Sequence, residues 1–442
     1  MQFYSVGFLF VFLPLFVFVY TAAPKKARNG VLVLGSLIFY AIGACGQLWQ
    51  LGLLVGLTAI SYSVGRALAR GRAWLLALTL LAMAGLLAFL KCYDGGKHLP
   101  PGLSFYLFQM AAYLIDINRQ RISPETRLTN YAAQVMMFPK LMSGPLMPPG
   151  ELQRQTWGRG YMNRDFHFGL QKLIIGLAMK VLLADRLASI WSQATIVGYQ
   201  SISTPYAWLA LISYALRLYF DFFGYSLMAM GLGQMLGFSL PENFHEPYAA
   251  RSVSEFYRRW HITLGLWFRE YLYIPLGGSR QGTWKTVRNT CIVWLFTGLW
   301  HGIGAPYLLW AGLICLLIVN EKLWLGKLLK KTHILCHIYT IFAILLSWLP
   351  FAVPDFGKLR VFFLRLFGSG GVTLNSSDYM VILRDYGLIL LAGLLFATPL
   401  PRYLYRKMKN YRLLNVILFF LFWVTVFYLA TAKQDPFLYF QF

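Results

Sequence analysis

Apolar runs of roughly 17 to 22 residues recur along the whole chain, and each is long enough to cross a bilayer. Hydrocarbon offers no water to backbone amides, so a spanning segment must be a helix or part of a closed barrel. The runs are continuously apolar and do not alternate, which favours helices. With 58% hydrophobic and 13% charged residues, the chain lies far outside the range of soluble domains. The sequence therefore predicts an all-α polytopic membrane protein, with one integral-membrane domain over residues 1–442.

Basic residues give a net charge of +24, which would also suit a nucleic-acid partner. They lie in short clusters between apolar runs, as the positive-inside rule expects, and no motif of a nucleic-acid-binding domain accompanies them. We therefore expect membrane lipid and no nucleic acid as the surroundings, and expect both termini outside the cytoplasm. The clusters are Lys25–Lys26–Arg28, Arg66–Arg70–Arg72, Arg119–Arg121–Arg127, Lys322–Lys327–Lys330–Lys331 and Arg402 to Arg412.

Three segments do not fit simple spans. Residues 131–150 are apolar but rich in Pro and Gly, and residues 254–278 alternate apolar side chains with charges. Irregular backbone at membrane depth is tolerated only where protein or a cavity surrounds it, so both segments are predicted to be re-entrant or broken helices. Residues 354–378 mix apolar and basic residues at helical spacing, which predicts a short helix on the membrane surface.

The run Phe3 to Tyr20 has no cleavage site after it and predicts a retained first helix.

Cysteine spacing predicts neither a disulfide framework nor a zinc site, because the five cysteines are scattered without a CxxC motif. Cys291 and Cys315 fall in apolar runs and are predicted to be small buried side chains. No metal site can be assembled from the spacing of possible ligands.

Ionisable groups within apolar runs are costly, so each needs a partner or a purpose. Arg217 and Asp221 are four residues apart and can pair on one helix face, either to orient two helices or to contact substrate. Gly233 and Gly237 form a small-residue face at which helices can approach closely.

Two histidines are candidates for chemistry. His261 follows Arg258–Arg259–Trp260, and on a continuous helix it would share a face with Tyr257, Arg258 and Gly265. His301 ends an apolar run between Gly298 and Gly302, and these glycines would leave room for a ligand. No GxSxG, P-loop, HxxxxD or HExxH motif is present. An uncharged imidazole is a competent general base for a hydroxyl at physiological pH, which suits acyl transfer from a thioester.

Long motifs resemble the membrane-bound O-acyltransferase (MBOAT) family. They are "YFDFFGYSLMAMGLGQMLGFSLPENF" (219–244), "EFYRRWHITLGLWFREYLYIPLGG" (255–278) and "GLWHG" (298–302). "FPKLMSGPL" (138–146) and "KVLLADRLA" (180–188) are also similar to its bacterial branch, which includes alginate O-acetyltransferases and D-alanyl transfer proteins of teichoic acids. The turn "YIPLGGSRQG" (273–282) resembles the alginate type most closely.

The resemblance implies a bundle of roughly 11 to 13 membrane helices with re-entrant segments and a central tunnel. It makes His301 the principal catalytic residue and His261 its partner. It also implies a bacterial inner-membrane enzyme with no tightly bound cofactor, acetyl-CoA as donor, an SGNH-type extracytoplasmic partner and a polysaccharide acceptor. We assign to substrate binding or tunnel lining Asp221, Tyr225, Trp300, Arg258, Arg259 and Arg269.

Other readings stay open. Arg258 and Arg259 either attract the phosphates of coenzyme A or anchor the chain at the cytoplasmic surface. Within the resembled family, D-alanyl transfer from an acyl-carrier protein is the alternative reaction. A transporter or a scaffold without catalysis is the alternative from another class, although no inverted repeat is found in the sequence.

Overall fold

The computed structural model describes residues 2–44, 46–93, 99–158, 163–329 and 332–431, and in these ranges the chain is built of helices. Six of the described helices are long and apolar enough to cross a membrane. This confirms the predicted all-α polytopic class. The larger number of membrane helices expected from the resemblance stays a prediction. The six spans are Leu48–Leu68, Trp74–Cys92, Ala305–Leu329, Ile334–Ala352, Asp378–Phe396 and Arg412–Thr431.

The amino-terminal runs form helices close to their predicted positions. The first predicted run begins with a π-helical turn at Phe8–Phe12 and continues as an α-helix. The helices are α1 (Leu13–Ala22), α2 (Arg28–Gly43), α3 (Leu48–Leu68), α4 (Trp74–Cys92) and α5 (Leu103–Asn118).

The Pro- and Gly-rich segment after α5 is broken, as predicted, into α6 (Leu128–Met136), α7 (Phe138–Leu141) and α8 (Pro149–Gly158). Every residue from 131 to 147 is buried, so protein covers this irregular backbone. The backbone N–H of Phe138 donates to the Ser36 hydroxyl of α2 (3.0 Å).

The centre of the bundle depends on close packing between two helices, α9 (Asn163–Ala178) and α11 (Thr204–Met235). A Cβ added to Gly169 would lie 2.6 Å from the carbonyl oxygen of Gly231, and one added to Gly176 would lie 2.5 Å from that of Gly224. Only glycine permits this approach of two backbones. After α9 the chain forms a π-helical segment, Met179–Ala184, and then α10 (Asp185–Val197).

A small-residue face is therefore present on α11, as predicted, but it is formed by residues other than Gly233 and Gly237. Gly233 packs against the side chain of Leu240. Gly237 lies beyond the end of α11 with φ at +83°, where a left-handed backbone favours glycine. The period of seven residues between Gly224 and Gly231 places those two on one face instead.

The remaining helices pack around this centre. A helix is present within residues 354–378, as predicted, at Phe356–Leu366 (α19), and its position at a membrane surface stays a prediction. After a 3₁₀ turn at Pro247–Ala249, the helices are α12 (Val253–Arg259), α13 (Ile262–Phe268), α14 (Thr283–His301), α15 (Ala305–Asn320), α16 (Gly326–Leu329), α17 (His333–Ser347), α18 (Leu349–Ala352), α19 (Phe356–Leu366), α20 (Asp378–Phe396), α21 (Leu400–Met408) and α22 (Arg412–Thr431).

Members of all five basic clusters are connected to one another through contacts of their own side chains and of residues near them in sequence, and we call this surface the basic face. It is defined by Arg28, Arg66, Arg121, Lys322 and Arg402. The contacts that link this face are Arg28 over the Tyr20 ring, Tyr20 to the Leu236 carbonyl, Arg402 to Glu242, Tyr62 to the Thr126 carbonyl, Asn29 to Asn130, Arg121 to Glu270 and Lys322 over the Tyr273 ring. The arrangement is the one that the positive-inside rule predicts.

Two cysteines differ from expectation. Cys291 of α14 is exposed and Cys315 of α15 is half-buried, with their sulfur atoms 3.5 Å apart. The prediction that both are buried is wrong for Cys291, because this face of α14 turns outward from the bundle. Among the described residues, no three His, Cys, Asp or Glu side chains lie together as metal ligands.

Candidate active site

His261 lies at a break in the backbone and not within a helix. It stands between α12 and α13, and its φ and ψ angles of +47° and +52° are left-handed. A left-handed backbone costs a residue with a side chain about 1–2 kcal/mol, so it persists only where the surroundings enforce it. The predicted continuous helix, with His261 on a face with Tyr257 and Gly265, is therefore wrong.

A short segment after α11 enforces this conformation. Phe244 and Trp260 form an isolated antiparallel bridge. On one side of the break, the His245 N–H donates to the Arg259 carbonyl (2.9 Å). On the other side, the Ile262 N–H donates to the Asn243 carbonyl (2.9 Å). Main-chain hydrogen bonds thus hold the backbone both before and after His261.

The side chain of Asn243 strengthens the same brace. Its amide oxygen accepts a hydrogen bond from the Thr263 hydroxyl (2.6 Å), and its amide nitrogen donates to the Ser226 hydroxyl (3.1 Å). The Thr263 hydroxyl also accepts from the Leu146 N–H (3.1 Å). Helix α11, the broken segment at 131–147 and the break at His261 are therefore connected by one buried hydrogen-bond network.

Aromatic rings surround the His261 imidazole, which belongs to a residue only 5% exposed. The ring of Phe222 meets it edge-on with centroids 4.6 Å apart. Phe105 stacks at 6.2 Å, and Trp300 lies at 6.1 Å. The ring is enclosed and does not face the outer surface of the bundle.

His301 is the last residue of α14 and is also buried. Its imidazole lies 4.5 Å from the Trp300 ring, 4.9 Å from Trp310 and 5.3 Å from Phe351, measured between centroids. The same Trp300 ring lies 6.1 Å from the His261 ring, so one tryptophan adjoins both imidazoles. The structure thus brings together three residues that the sequence predicted as a site, and we call His261, Trp300 and His301 the histidine centre.

The glycines beside His301 do not leave open space, which corrects the sequence interpretation. A Cβ on Gly302 would lie 2.3 Å from the ring of Tyr307, and one on Gly298 would lie 2.8 Å from the Cβ of Ala311. Their lack of a side chain allows α14 and α15 to pack closely. They position His301 against α15 and do not provide a path for a ligand.

Asp221 contacts a lysine that the sequence reading did not name. Its carboxylate lies 2.8 Å from the Nζ of Lys180, which also donates to Asp185 (2.7 Å). Lys180 further lies over the Tyr4 ring, 5.2 Å from its centroid. We call Lys180, Asp185 and Asp221 the buried ion cluster. Lys180 and Asp185 are the first and last residues of the otherwise apolar run "KVLLAD". Charged residues in such a run could have indicated the cluster from the sequence.

Tyr225 lies on the same face of α11 as Asp221, four residues along, and its ring stacks on Phe3 at 5.0 Å. Phe222, one residue after Asp221, points to His261 instead. Helix α11 therefore presents different faces to the histidine centre and to the buried ion cluster. The substrate or tunnel roles of Asp221, Tyr225 and Trp300 stay predictions.

The three arginines lie nearer the protein surface. Arg258 and Arg269 are exposed. Arg259 pairs with Glu255 (2.6 Å) and donates to the Glu246 carbonyl (3.3 Å). Arg402 of the basic face pairs with the Glu246 side chain (3.8 Å), so Arg259 adjoins that face. Their contact with a donor stays a prediction.

With this geometry in view, comparison with known proteins identifies the class. The family model described as MBOAT, membrane-bound O-acyltransferase family, matches residues 62–349, which include both histidines. The chain belongs to this family. It is an integral membrane O-acyltransferase, as the sequence motifs indicated.

Individual relatives show which members of the family this chain is similar to. The protein named Probable alginate O-acetylase AlgI of Pseudomonas fluorescens is 36% identical over 80% of this chain and 73% of its own length. The protein of the same name from Pseudomonas putida is 30% identical over 100% of both chains. The peptidoglycan O-acetyltransferase of Helicobacter pylori is 31% identical over 89% of this chain and 85% of its own. The teichoic acid D-alanyltransferase of Bacillus subtilis is 23% identical over 47% of this chain and 55% of its own.

Proposed function

We propose that this enzyme takes an acetyl group from a cytoplasmic thioester and passes it across the membrane for O-acetylation of an extracytoplasmic polysaccharide. The histidine centre is the observation that best supports this proposal. Two buried imidazoles lie beside one tryptophan, and the backbone of one histidine is strained and held by hydrogen bonds. Strained residues of this kind cluster at active sites. The acetyl group and the saccharide acceptor are supported by the names of the relatives at 30–36% identity.

The reaction assigns one role to each imidazole. An acceptor hydroxyl attacks the thioester carbonyl carbon, and His301 takes the hydroxyl proton as the C–O bond forms. The C–S bond then breaks, and the leaving thiolate receives that proton. His261 orients the reacting groups. No protein nucleophile is required.

The donor is acetyl-CoA, and no cofactor is held tightly. Arg258, Arg259 and Arg269 lie at or near the surface, where guanidinium groups can attract the phosphates of coenzyme A. The enzyme lies in the bacterial inner membrane with its basic face in the cytoplasm and both termini outside. A separate SGNH-type acyltransferase outside the membrane supplies the acceptor hydroxyl of this step and then completes transfer to the polymer.

Deletion of the gene in its host tests this proposal. Alkali-labile acetate on envelope polysaccharide should disappear in the deletion strain and return with the wild-type gene, but not with His301→Ala. Unchanged acetate in the deletion strain would overturn the acetylation proposal.

A D-alanyl transferase is the second candidate, because a relative with that printed name matches about half of the chain at 23% identity. Membranes incubated with labelled acetyl-CoA or with labelled D-alanyl carrier protein separate the two donors. Transporter and scaffold functions predict that alanine at both histidines leaves the acetylation of the polymer intact.

A further inference from the structure

A lysine outside every recognised motif contacts the backbone beside His301. Lys91 lies in the last turn of α4, and its side chain is half-buried. Its ammonium donates a hydrogen bond to the carbonyl oxygen of Trp300.

This contact is made at the carboxyl end of α14, where it can affect the orientation of His301. The last four carbonyls of a helix have no partner within the helix, and a cation there also interacts favourably with the helix dipole. The Trp300 carbonyl belongs to the final turn of α14, and the next residue is His301. An anchor on that carbonyl therefore restrains the one turn whose orientation sets the imidazole.

Helix lengths place both groups at the same depth. Helix α4 begins just after the basic residue Arg72, and α14 begins shortly after the turn at 276–278, whose carbonyl oxygens accept hydrogen bonds from Arg288 and Asn289. Each helix has 19 residues, and helices of that length rise roughly 28 Å. Lys91 and His301 thus meet at the ends of two helices that both start near the basic face. A lysine at the end of a spanning helix can extend its ammonium outward to water, whereas Lys91 turns inward to the Trp300 carbonyl, and that inward contact calls for a function.

We propose that Lys91 is a positioning residue for His301, which anchors the Trp300 carbonyl and places a fixed positive charge beside the reacting centre. This inference rests on the proposed acyl transfer. When the acceptor oxygen attacks, the electron pair of the thioester carbonyl moves onto its oxygen, and the fixed charge of Lys91 favours that transition state. Lys91 keeps its proton throughout, so the atom balance of the reaction is unchanged.

A graded series of substitutions separates the anchor from the charge. Lys91→Arg keeps both a donor and a charge, Lys91→Gln keeps only a donor, and Lys91→Met keeps neither. Acetyl transfer from labelled acetyl-CoA to endogenous polysaccharide is measured in membranes of the deletion strain expressing each variant. Turnover should fall in the order Lys, Arg, Gln, Met, with a loss of about 100-fold for Met and KM for acetyl-CoA within about threefold of wild type.

The matched control is Lys285→Met in the first turn of α14. Lys285 is exposed and bonds only to Gln281 (3.0 Å) in the described structure, so wild-type turnover is expected. Thermal stability in detergent is measured for every variant, because a purely structural cap would lower stability and turnover together.

Two outcomes overturn the inference: Lys91→Met with turnover within about threefold of wild type, or turnover losses that follow losses of thermal stability across the series. His301→Ala in the same membranes distinguishes the inference from the function it rests on. An active His301→Ala variant refutes the catalytic site itself. An inactive one beside an active Lys91→Met refutes only the role of Lys91.

Discussion

Two buried polar regions adjoin helix α11, and they are stabilised in different ways. In the buried ion cluster, the ammonium of Lys180 contacts both carboxylates, and the charges offset one another's desolvation. In the histidine centre, aromatic edges enclose the imidazoles, and main-chain bonds hold His261 in an unfavourable conformation. The ion cluster is stabilised by the attraction between its own charges. The histidine centre instead depends on surrounding residues to hold His261 in a strained conformation.

This difference teaches where to look for function in an apolar bundle. Charges that pair with each other can serve folding alone. A side chain on a strained backbone, braced by a separate segment, points to a requirement on the position of that side chain. The following predictions test whether substitutions in the two regions separate activity from stability.

The largest effect is expected for His301→Ala. Removal of a general base typically lowers a rate by about 10²–10⁴-fold. Polysaccharide acetate esters should fall by that factor in membranes of the deletion strain. Alanine leaves a cavity among the aromatic rings and lowers thermal stability, so the rates are compared at equal amounts of folded protein. An active variant would assign the chemistry elsewhere.

Lys180→Met should act mainly on stability. It leaves two buried carboxylates without their cation, which typically costs about 3–5 kcal/mol. We expect a strong drop in thermal stability and in the amount of folded protein in the membrane. The double variant Lys180→Met/Asp221→Asn should recover part of this loss, since one negative charge is removed as well. A single variant as stable as wild type would show that the cluster does not hold the bundle together.

Asn243→Ala should affect both properties moderately. It removes the side-chain bonds to Thr263 and Ser226, which typically contribute about 1 kcal/mol each. The looser brace should lower turnover by about tenfold, because catalysis depends on sub-ångström placement. Asn375→Ala in the exposed loop before α20 is the control. Unchanged turnover in Asn243→Ala would separate the brace from catalysis.

The smallest effect is a difference between two substitutions of His261. Both His261→Ala and His261→Gly should lose activity, because both lack the imidazole. Glycine accepts the left-handed backbone without steric cost, so His261→Gly should be more stable to heat than His261→Ala by about 1 kcal/mol. Equal stability, or the reverse order, would show that the backbone at residue 261 is not strained.

The sequence sufficed for much of the architecture because hydropathy and charge act locally. Apolar runs predicted the helices α2 to α5 within a few residues, and Pro and Gly marked the broken segment at 131–147. The motifs placed His261 and His301 in one site, and the structure shows both beside Trp300.

Contacts between residues that are far apart in the chain could not be predicted from the sequence. The pairing of Arg217 with Asp221 stays a prediction from spacing, whereas the contact of Asp221 with Lys180 joins segments about 40 residues apart in sequence. Lys91 stands 209 residues before Trp300, and no local pattern connects them. The role of Gly302 also depends on Tyr307, which folds back against it. Such partners become visible only when the helices are packed together.

A double-substitution cycle on the two histidines tests the central claim most directly. Rates of acetate ester formation are measured in membranes containing wild type, His261→Ala, His301→Ala and the double variant, at equal amounts of folded protein. Residues that act as one catalytic unit are strongly non-additive, so the double variant should be about as slow as His301→Ala alone. Independent, multiplicative losses, or a double variant that retains the wild-type rate, would contradict the account.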